Sequence, residues 1–525
     1  MRVVLFSMPD MMPNLRGGFN KWPNSALCGL ASAAPDHEVV VADLCFRRGD
    51  IAGCVQEALE TVKPQVVGLS SMSFQFHTAC GVAKMVRAYD PDIRIVLGGY
   101  HPTLLAEEVA EGEEESLFDF MARGEGERLF PALLHALESK KNDSRFDDIP
   151  ALSFRADGRW VHNPRPPENL PLSEIALPKR SARLWTNYSI FLKGLDLTET
   201  SRGCTMPCNF CSIRGMYGKT YREYPLERVI ADIGDAKRHG ARFMGFVDDN
   251  VTLKVDRLEA LCDAIIAAGH NDVRYFVQAS CRGIASSERL VRKMRQAGFF
   301  IVFLGIESVS ERTLKFVKKG KILDYSKRAI ELLHKFNILI IGGIVLGSPE
   351  DREEDIAQNF QFLVDQDIEW HLPQVLSPYP TTPLRKELLQ QDLVTNPTDY
   401  RYYNGFWANV RTKHLSSDEL QFLRWKYQRK SSLLFRPEPK SFIKRMPLFS
   451  LARRAVVLPL RKLRDRRRFR NATDYELYRA QIDAMWHSSQ FFADKPPSDH
   501  IDVGHPRALR EPPCEPVPLR GTGLL

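Results

Sequence analysis

Short apolar runs alternate with amphipathic stretches through the first part of the chain. Runs typical of buried strands occupy residues 3–7, 38–42, 66–70 and 93–97. Each run leads into a loop or a stretch with helical spacing, as in a parallel sheet that is covered by helices. The pattern therefore predicts a doubly wound, Rossmann-like α/β domain over residues 1–140.

The loops after these strands are rich in small and hydroxyl-bearing residues. In a doubly wound domain the ligand binds at the carboxyl ends of the strands, which is where these loops begin. Small residues let a large, flat cofactor approach the backbone closely. We therefore predict cofactor contacts from Ser70, Ser71, Gly98, Gly99, Gly124 and Glu125.

A second series of strands and helices runs through residues 191–395. Its predicted strands are 243–247, 275–279, 300–304, 338–345 and 371–376, and its predicted helices are 225–239, 255–268, 287–297, 324–336 and 353–367. Repeated β-α units of this length predict a partial (β/α) barrel of the TIM type, with its site at the carboxyl ends of the strands. Residues 141–190, which are rich in proline and polar residues, predict a linker with little regular structure.

Beyond residue 395 the chain becomes helical and basic. We predict a helical basic region over residues 396–490 and a disordered, proline-rich tail over residues 491–525. Between residues 424 and 470 there are seventeen Lys and Arg residues against two acids, which more than accounts for the net charge of +8. Residues 448–462 mix apolar and basic side chains as a helix at a membrane surface does. A solvated helix face and an RNA-binding patch stay open, but nucleic acid is the least favoured partner because no RNA-binding domain is recognisable.

The rest of the composition indicates a cytoplasmic protein. No stretch approaches the roughly 20 apolar residues that span a bilayer, and the short apolar run at the amino terminus lacks a signal-peptide cleavage site. Ten cysteines in 525 residues are too sparse for a disulfide scaffold. We expect a cytoplasmic location, with the basic segment making contact with the inner membrane surface.

Three cysteines stand apart from the others. Cys204, Cys208 and Cys211 have the spacing C-x3-C-x2-C. One loop with three thiolates can hold three irons of a [4Fe-4S] cluster and leave the fourth iron without a protein ligand. A zinc site requires a fourth ligand nearby, and the next histidine, His239, falls on a predicted helix. The spacing therefore indicates a cluster with one open corner.

The same loop, with Phe210 before its last cysteine, resembles the cluster loop of radical S-adenosylmethionine enzymes. The resemblance implies that S-adenosylmethionine binds the open iron and is cleaved to a 5′-deoxyadenosyl radical. Further segments that resemble the family follow in its order, at residues 246–250, 304–308, 342–349 and 378–384. By this resemblance, Asp248, Glu307 and Gly347 are expected to contact the cofactor.

The predicted first domain looks like the cobalamin-binding domain of the B12-dependent subfamily. The resemblance rests on the segments G-G-Y-H-P-T at residues 98–103 and R-G-E-G-E at residues 123–127. The motif D-x-H-x-x-G, which supplies a histidine to cobalt in many cobalamin proteins, is absent, and this fits cobalamin bound without a protein ligand. We interpret His101 as structural. A domain of the same fold that has lost its cofactor is the alternative.

The resemblance implies a cobalamin-dependent methyltransferase that acts on an unactivated carbon of a lipid, a tetrapyrrole or another secondary metabolite. It also implies an electron donor such as flavodoxin or ferredoxin. Two alternatives stay open: an oxidative cyclase or rearrangement enzyme of the same family, and a non-catalytic iron-sulfur binding or sensor protein. No residue has a spacing that identifies it as the catalytic acid or base.

The cysteine spacing predicts that Cys208→Ala removes the cluster. After anaerobic reconstitution, this variant should retain only a small fraction of the iron bound by the wild type, because two thiolates hold the cluster poorly. Cys262→Ala is the matched control, since Cys262 is predicted to be a core residue and its loss should leave the iron content unchanged. Equal iron in the Cys208→Ala variant and the wild type would refute the assignment.

Overall fold

The structure is a computed structural model that describes residues 1–9, 22–46, 49–139, 146–166, 168–190, 193–434 and 473–487. The chain separates into two compact units. The first contains Met1–Thr205 and Ser212–Asp249, and the second contains Met206–Cys211 and Asn250–Ser489. Most of the basic segment and the whole predicted tail, residues 435–472 and 491–525, lie outside the described residues.

A seven-stranded sheet forms the core of the first unit. Its strands are Arg2–Ser7 (β1), Glu38–Asp43 (β2), Val66–Ser70 (β3), Arg94–Gly98 (β4), Phe120–Ala122 (β5), Leu152–Ala156 (β6) and Arg159–His162 (β7). They lie in the order β2-β1-β3-β4-β5-β6-β7. The first five are parallel, and their order is that of a doubly wound fold. The Rossmann-like prediction is confirmed.

Five helices accompany the parallel strands. They are Ser25–Ala33 (α1), Ile51–Val62 (α2), Phe76–Tyr89 (α3), Tyr100–Glu111 (α4) and Gly126–Glu138 (α5). Two of them begin at a capping side chain: Asn24 accepts from the Leu27 amide, and Asp50 accepts from the Gly53 amide. In β1, every residue after Arg2 is buried, as expected for a strand with both faces covered.

The expectation of little regular structure over residues 141–190 is wrong for part of that stretch. Strands β6 and β7 form an antiparallel hairpin, and β6 also pairs antiparallel with β5. The hairpin extends the sheet at its edge, where one side of a strand is exposed and fewer apolar residues are needed. The predicted division of the chain at residues 140, 190, 395 and 490 stays a prediction.

The remainder of the first unit supplies five more strands and two helices. These are Ser189–Ile190 (β8), Lys193–Thr198 (β9), Ser201–Arg202 (β10), Ile213–Tyr217 (α6), Arg222–Glu223 (β11), Leu226–Arg238 (α7) and Ala241–Phe246 (β12). Strand β9 pairs parallel with β12 and antiparallel with β8. The short strands β10 and β11 form a separate antiparallel pair that flanks the cysteine loop in the sequence.

Four parallel neighbours form the sheet of the second unit: Arg274–Ser280 (β13), Phe299–Glu307 (β14), Leu339–Leu346 (β15) and Trp370–Val375 (β16). Its helices are Val255–Ala267 (α8), Cys281–Ala285 (α9), Glu288–Ala297 (α10), Glu311–Phe316 (α11), Leu323–Lys335 (α12), Glu353–Asp365 (α13), Pro383–Gln390 (α14), Ser417–Leu434 (α15) and Asp474–His487 (α16). The predicted β-α repeats are present in each unit, and the prediction of a partial (β/α) barrel is confirmed. None of the helices in the described residues is both long and apolar enough to cross a membrane.

The turn before β14 predicts a difference between two glycine substitutions. Gly298 has φ +102°, and a Cβ there would lie 2.3 Å from the Val273 carbonyl oxygen, whereas a Cβ on Gly269, with φ +66°, meets nothing within 4 Å. Gly269→Ala should cost about 1–2 kcal/mol for its left-handed backbone. Gly298→Ala should cost about 1–3 kcal/mol more, because the backbone must move. Urea unfolding of both variants measures this, and equal losses would contradict it.

Candidate cofactor site

A pocket opens at the carboxyl ends of the parallel strands in the first unit. It contains about 1000 Å³ of empty space, part of it open to solvent. Five of the residues predicted from the sequence line it: Ser70, Gly98, Gly99, Gly124 and Glu125. They follow or end β3, β4 and β5, where doubly wound sheets bind their ligands. The predicted loops therefore converge on one pocket.

Ser71, the sixth predicted residue, is buried and supports the pocket through its backbone. Its amide donates to the Gly98 carbonyl oxygen at 2.9 Å, and its carbonyl oxygen accepts from the His101 amide at 3.0 Å. A Cβ on Gly99, which has φ +93°, would lie 2.7 Å from the Ser71 carbonyl oxygen. Glycine is therefore required at position 99, and it leaves the backbone of the pocket wall bare.

Thr103 joins two of the glycine loops. Its hydroxyl donates to the Gly99 carbonyl oxygen at 2.6 Å and accepts from the Gly124 amide at 2.8 Å. The pocket wall thus combines bare backbone with small side chains held in fixed positions. Such a wall suits a large ligand with a flat ring and hydrogen-bonding groups at its edge, so the residues present fit cobalamin.

His101 lies in the same region but is only 2% exposed. Its ring stacks on Phe76, with ring centres 4.0 Å apart. Burial lowers the pKa of the imidazole to about 3, which keeps it neutral. Burial and stacking support the interpretation of His101 as a structural residue.

Arg202 is the centre of an ion network that borders the pocket. Its Nε contacts Glu199 at 3.0 Å, its Nη1 contacts Glu125 at 2.8 Å and its Nη2 contacts Glu127 at 2.7 Å. Burial lowers the pKa of the guanidinium, but the surrounding carboxylates outweigh this effect and raise it. Arg202 also lines the pocket and stands two residues before Cys204. A single buried cation thus links the pocket to the start of the cysteine loop.

The pairing of β10 with β11 explains why a carboxylate is needed here. Arg202 and Arg222 stand directly opposite each other across the two strands. Like charges in such a pair repel, so the arrangement requires compensation. Glu125 supplies it, because its Oε1 accepts from Arg202 at 2.8 Å and from Arg222 at 2.9 Å.

The acidic end of β12 holds the residues just before Cys204. The buried carboxylate of Asp248 accepts from the Thr200 amide at 3.0 Å and from the hydroxyls of Thr200 and Ser201 at 2.6 and 2.5 Å. Asp249 accepts from the Gly203 amide at 3.1 Å. Burial raises the pKa of both carboxyls, that of Asp249 to about 7. The family resemblance predicts a cofactor contact for Asp248, whereas its carboxylate here binds the backbone and hydroxyls of the loop.

Glu307 ends β14 in the second unit, in a strained conformation with φ +65°. Its carboxylate lies 2.7 Å from the Lys319 ammonium, and the two side chains are 11% and 16% exposed. A Cβ on Gly305 would lie 2.8 Å from the Glu307 carboxylate, so glycine makes room for this side chain. Backbone strain of this kind costs about 1–3 kcal/mol and recurs at active sites and ligand clamps.

Gly347, the remaining predicted residue of the second unit, begins a turn after β15 with φ +90°. The amides of Gly347 and Ser348 both donate to Asp351 Oδ2 at 3.0 Å. Thr313 donates to the other oxygen of Asp351 at 3.0 Å. Burial raises the pKa of Asp351 to about 6 against these hydrogen bonds. Asp351 therefore fixes the turn that carries Gly347.

The cysteine loop has one buried thiol, Cys208, and two half-buried ones, Cys204 and Cys211. Asn209 makes one hydrogen bond through its side chain and one through its backbone. Its side-chain amide donates to the Phe316 carbonyl oxygen at 2.9 Å, and its backbone carbonyl oxygen accepts from the Leu384 amide at 3.1 Å. Across the described ranges, no three His, Cys, Asp or Glu side chains converge as a metal site. The assignment of the three cysteines to a cluster therefore rests on their spacing.

In each unit, sequence reasoning missed the residues that support the predicted site residues. No motif singled out Arg202, Glu199, Lys319 or Asp351, and the contact of Arg202 with Glu125 joins residues that are 77 positions apart in the chain. One signal was present: Arg202 is part of the segment S-R-G-C that leads into the cysteine loop. An arginine at that place, next to a predicted cluster, needs a carboxylate partner if it is buried.

Two family models match the chain. The Radical SAM superfamily matches residues 198–363, and the B12 binding domain matches residues 19–134. The first span contains the cysteine loop with Asp248, Glu307 and Gly347, and the second contains the pocket loops. The chain is therefore a radical S-adenosylmethionine enzyme with a B12-binding domain. Its cofactors are a [4Fe-4S] cluster, S-adenosylmethionine and cobalamin.

Individual relatives agree with this class. An uncharacterized methyltransferase of Pyrococcus horikoshii is 28% identical over 451 residues, which cover 85% of this chain and 94% of the relative. An anaerobic magnesium-protoporphyrin IX monomethyl ester cyclase of Rubrivivax gelatinosus is 26% identical, over 64% of this chain and 60% of the relative. Among solved structures, the radical S-adenosylmethionine methyltransferase TsrM from Kitasatospora setae, with cobalamin and a [4Fe-4S] cluster bound, has a TM-score of 0.63 at 18% identity. The match covers 83% of this chain and 89% of TsrM, and it shows the shared fold.

The burial of Asp249 predicts a pH-dependent stability. Its carboxyl has a pKa of about 7 when folded, against an ordinary value of 3.8. Between about pH 4 and pH 7 the folded protein therefore binds the extra proton, and the free energy of unfolding falls as the pH rises. Asp249→Asn cannot titrate, so this variant should gain stability relative to the wild type between pH 5 and pH 8, by up to a few kcal/mol. Urea unfolding at both pH values measures the difference, and parallel pH profiles would contradict it.

Proposed function

We propose that this enzyme transfers a methyl group to an unactivated carbon of a small-molecule substrate. The observation that carries the proposal is a B12-binding domain with a formed pocket in the same chain as a radical S-adenosylmethionine domain. One relative is named a methyltransferase, and its match covers most of both chains, which supports the proposal. When bound, the cluster with S-adenosylmethionine supplies a radical that removes a substrate hydrogen, and cobalamin supplies the methyl group.

The chain's own residues bind and orient these groups. Cys204, Cys208 and Cys211 are the proposed ligands of the cluster. Glu307 offers a carboxylate to the ammonium or a ribose hydroxyl of S-adenosylmethionine, and Gly347 offers bare backbone in a turn that Asp351 holds. In the first unit, the strand-end glycines give cobalamin access to the backbone.

Asp248 has a different proposed task. Its three hydrogen bonds to Thr200 and Ser201 leave it engaged with the loop, so we propose that it orients the residues before Cys204. Neighbouring Asp249, with a pKa of about 7, is partly protonated near neutral pH and accepts from the Gly203 amide of the same loop. These two carboxyls keep the residues just before Cys204 in one conformation.

One relative and the charge of the carboxyl-terminal region support the proposed substrate class. Magnesium-protoporphyrin IX monomethyl ester, which one relative acts on by its name, is a tetrapyrrole, and this favours a large, flat, apolar substrate. A lipid remains within the proposal, because residues 424–470 are basic and suit an anionic membrane surface. A cytoplasmic location at that surface and a flavodoxin or ferredoxin as the electron donor complete the proposal.

Oxidative ring formation is the second candidate. The same cyclase relative favours it, although the match covers 60% of that protein. The two candidates differ in the fate of the methyl group of S-adenosylmethionine, because a methyltransferase moves it to cobalamin and then to the product, whereas a cyclase has no use for it. A protein that binds the cluster without catalysis would do neither.

The methyl-transfer proposal predicts label transfer that does not require the natural substrate. The reconstituted full chain, with cobalamin, a reductant and S-adenosylmethionine carrying a 13C-labelled methyl group, should yield labelled methyl on the extracted cobalamin by mass spectrometry. With magnesium-protoporphyrin IX monomethyl ester as a probe, a labelled methyl group in the product supports methylation of a tetrapyrrole.

The other outcomes are equally informative. Formation of 5′-deoxyadenosine with unlabelled cobalamin and an unlabelled, oxidised product would refute methyl transfer in favour of cyclisation. Absence of both S-adenosylmethionine cleavage and label transfer, from protein with a full complement of iron, would refute catalysis. Cys208→Ala provides the background, and Cys262→Ala provides the control for loss of a thiol.

A further inference from the structure

Glu125 carries an oxygen that the ion network does not use. Its Oε1 accepts from Arg202 and Arg222, while its Oε2 is buried without a hydrogen-bond partner in the part of the chain that the structure describes. The side chain is 9% exposed and lines the pocket. A buried carboxylate oxygen without a donor is costly, so its presence at a pocket indicates that a ligand supplies the donor.

The donor that suits this oxygen is a carboxamide N–H. Cobalamin carries primary carboxamide groups around the edge of its corrin ring, and each has two N–H donors. A hydrogen bond from an amide to a carboxylate is charge-assisted and stronger than a bond between neutral groups. Glu125 is therefore suited to bind the edge of the ring. Gly99 has no side chain, which leaves its backbone accessible to the ring.

The other oxygen of Glu125, Oε1, is connected through Arg202 to the residues that precede the cysteine loop. It is bonded to Arg202, whose chain neighbours Ser201 and Gly203 are held by Asp248 and Asp249. Gly203 lies close against the neighbouring backbone, since a Cβ there would lie 2.4 Å from the Thr220 carbonyl oxygen. A displacement of the Glu125 carboxylate thus acts on a segment that is tightly held just before Cys204.

We propose that Glu125 accepts a carboxamide N–H of cobalamin through Oε2 and, through Arg202, couples cobalamin binding to the position of the cysteine loop. Arg202 is a positioning residue in this proposal, because it acts through Glu125 and the backbone. Coupling between two sites is reciprocal, so cobalamin should stabilise the cluster and the cluster should strengthen cobalamin binding by the same factor. The proposal rests on the cobalamin site and not on methyl transfer.

The first test compares Glu125→Gln with Glu127→Gln, since both residues bind Arg202 and line the pocket. Equilibrium dialysis of hydroxocobalamin against the anaerobically reconstituted full chain gives the dissociation constants. Glu125→Gln should weaken binding about 10- to 100-fold, as expected for loss of a hydrogen bond to a charged group, and Glu127→Gln should weaken it by clearly less. Equal affinities of the wild type and Glu125→Gln, or equal losses in both variants, would overturn the role of Glu125.

The second test measures the coupling without using activity. The rate of iron release to a chelator is recorded with and without hydroxocobalamin, for the wild type and for Arg202→Gln. Cobalamin should slow the release several-fold in the wild type and leave it unchanged in Arg202→Gln. If cobalamin protects the cluster equally in both proteins, Arg202 does not couple the sites.

Arg202→Lys covers the case in which Arg202→Gln does not fold. Lysine keeps the charge but cannot reach three carboxylates at once, so the protection by cobalamin should be reduced although the protein remains folded by circular dichroism. Full protection in Arg202→Lys would contradict the proposal. A wild type that binds no cobalamin would overturn the cobalamin site itself, an outcome separate from the failure of Glu125 or Arg202 alone.

Discussion

One guanidinium in the first unit is surrounded by three carboxylates. The arrangement of the pocket loop and of the residues before the cysteine loop depends on this contact. Arg202 is held by Glu125, Glu127 and Glu199 in a place with little solvent. A charge buried in this way is stable only while its partners remain, because an uncompensated charge costs several kcal/mol. The network therefore ties the loop after β5, which lines the pocket, to the residues that lead into the cysteine loop.

Two further carboxyls extend this constraint. Asp248 and Asp249 bind the residues on both sides of Arg202, so four successive residues, 200–203, are held by side chains from outside their own segment. The segment that leads into Cys204, a predicted cluster ligand, is therefore held in one conformation. In the second unit, the strained Glu307 and the turn at Gly347 are each supported by one charged residue, the largely buried Lys319 or the buried Asp351.

The spacing of apolar residues predicted the main strands and helices closely. Strand 66–70 has the predicted bounds, and the helix predicted at 255–268 ends one residue earlier, because buried parallel strands and amphipathic helices have strong local patterns. The hairpin of β6 and β7 was missed because its residues alternate between exposed and half-buried in β7 and lie in a proline-rich stretch. The pocket loops were found because strand ends of a doubly wound sheet are predictable positions. The contacts of Arg202 with Glu125 and Glu127 were not, since they join residues 77 and 75 positions apart in the chain.

Electron paramagnetic resonance of the reduced, cobalamin-loaded protein, with and without S-adenosylmethionine, tests the central claim most directly. If the enzyme combines an open-cornered [4Fe-4S] cluster with cobalamin, the reduced cluster should give a signal that changes when S-adenosylmethionine binds the open iron. Partly reduced samples should also show the signal of cob(II)alamin bound to the protein. A cluster signal that S-adenosylmethionine does not alter, or cobalamin that remains free in solution, would contradict the account.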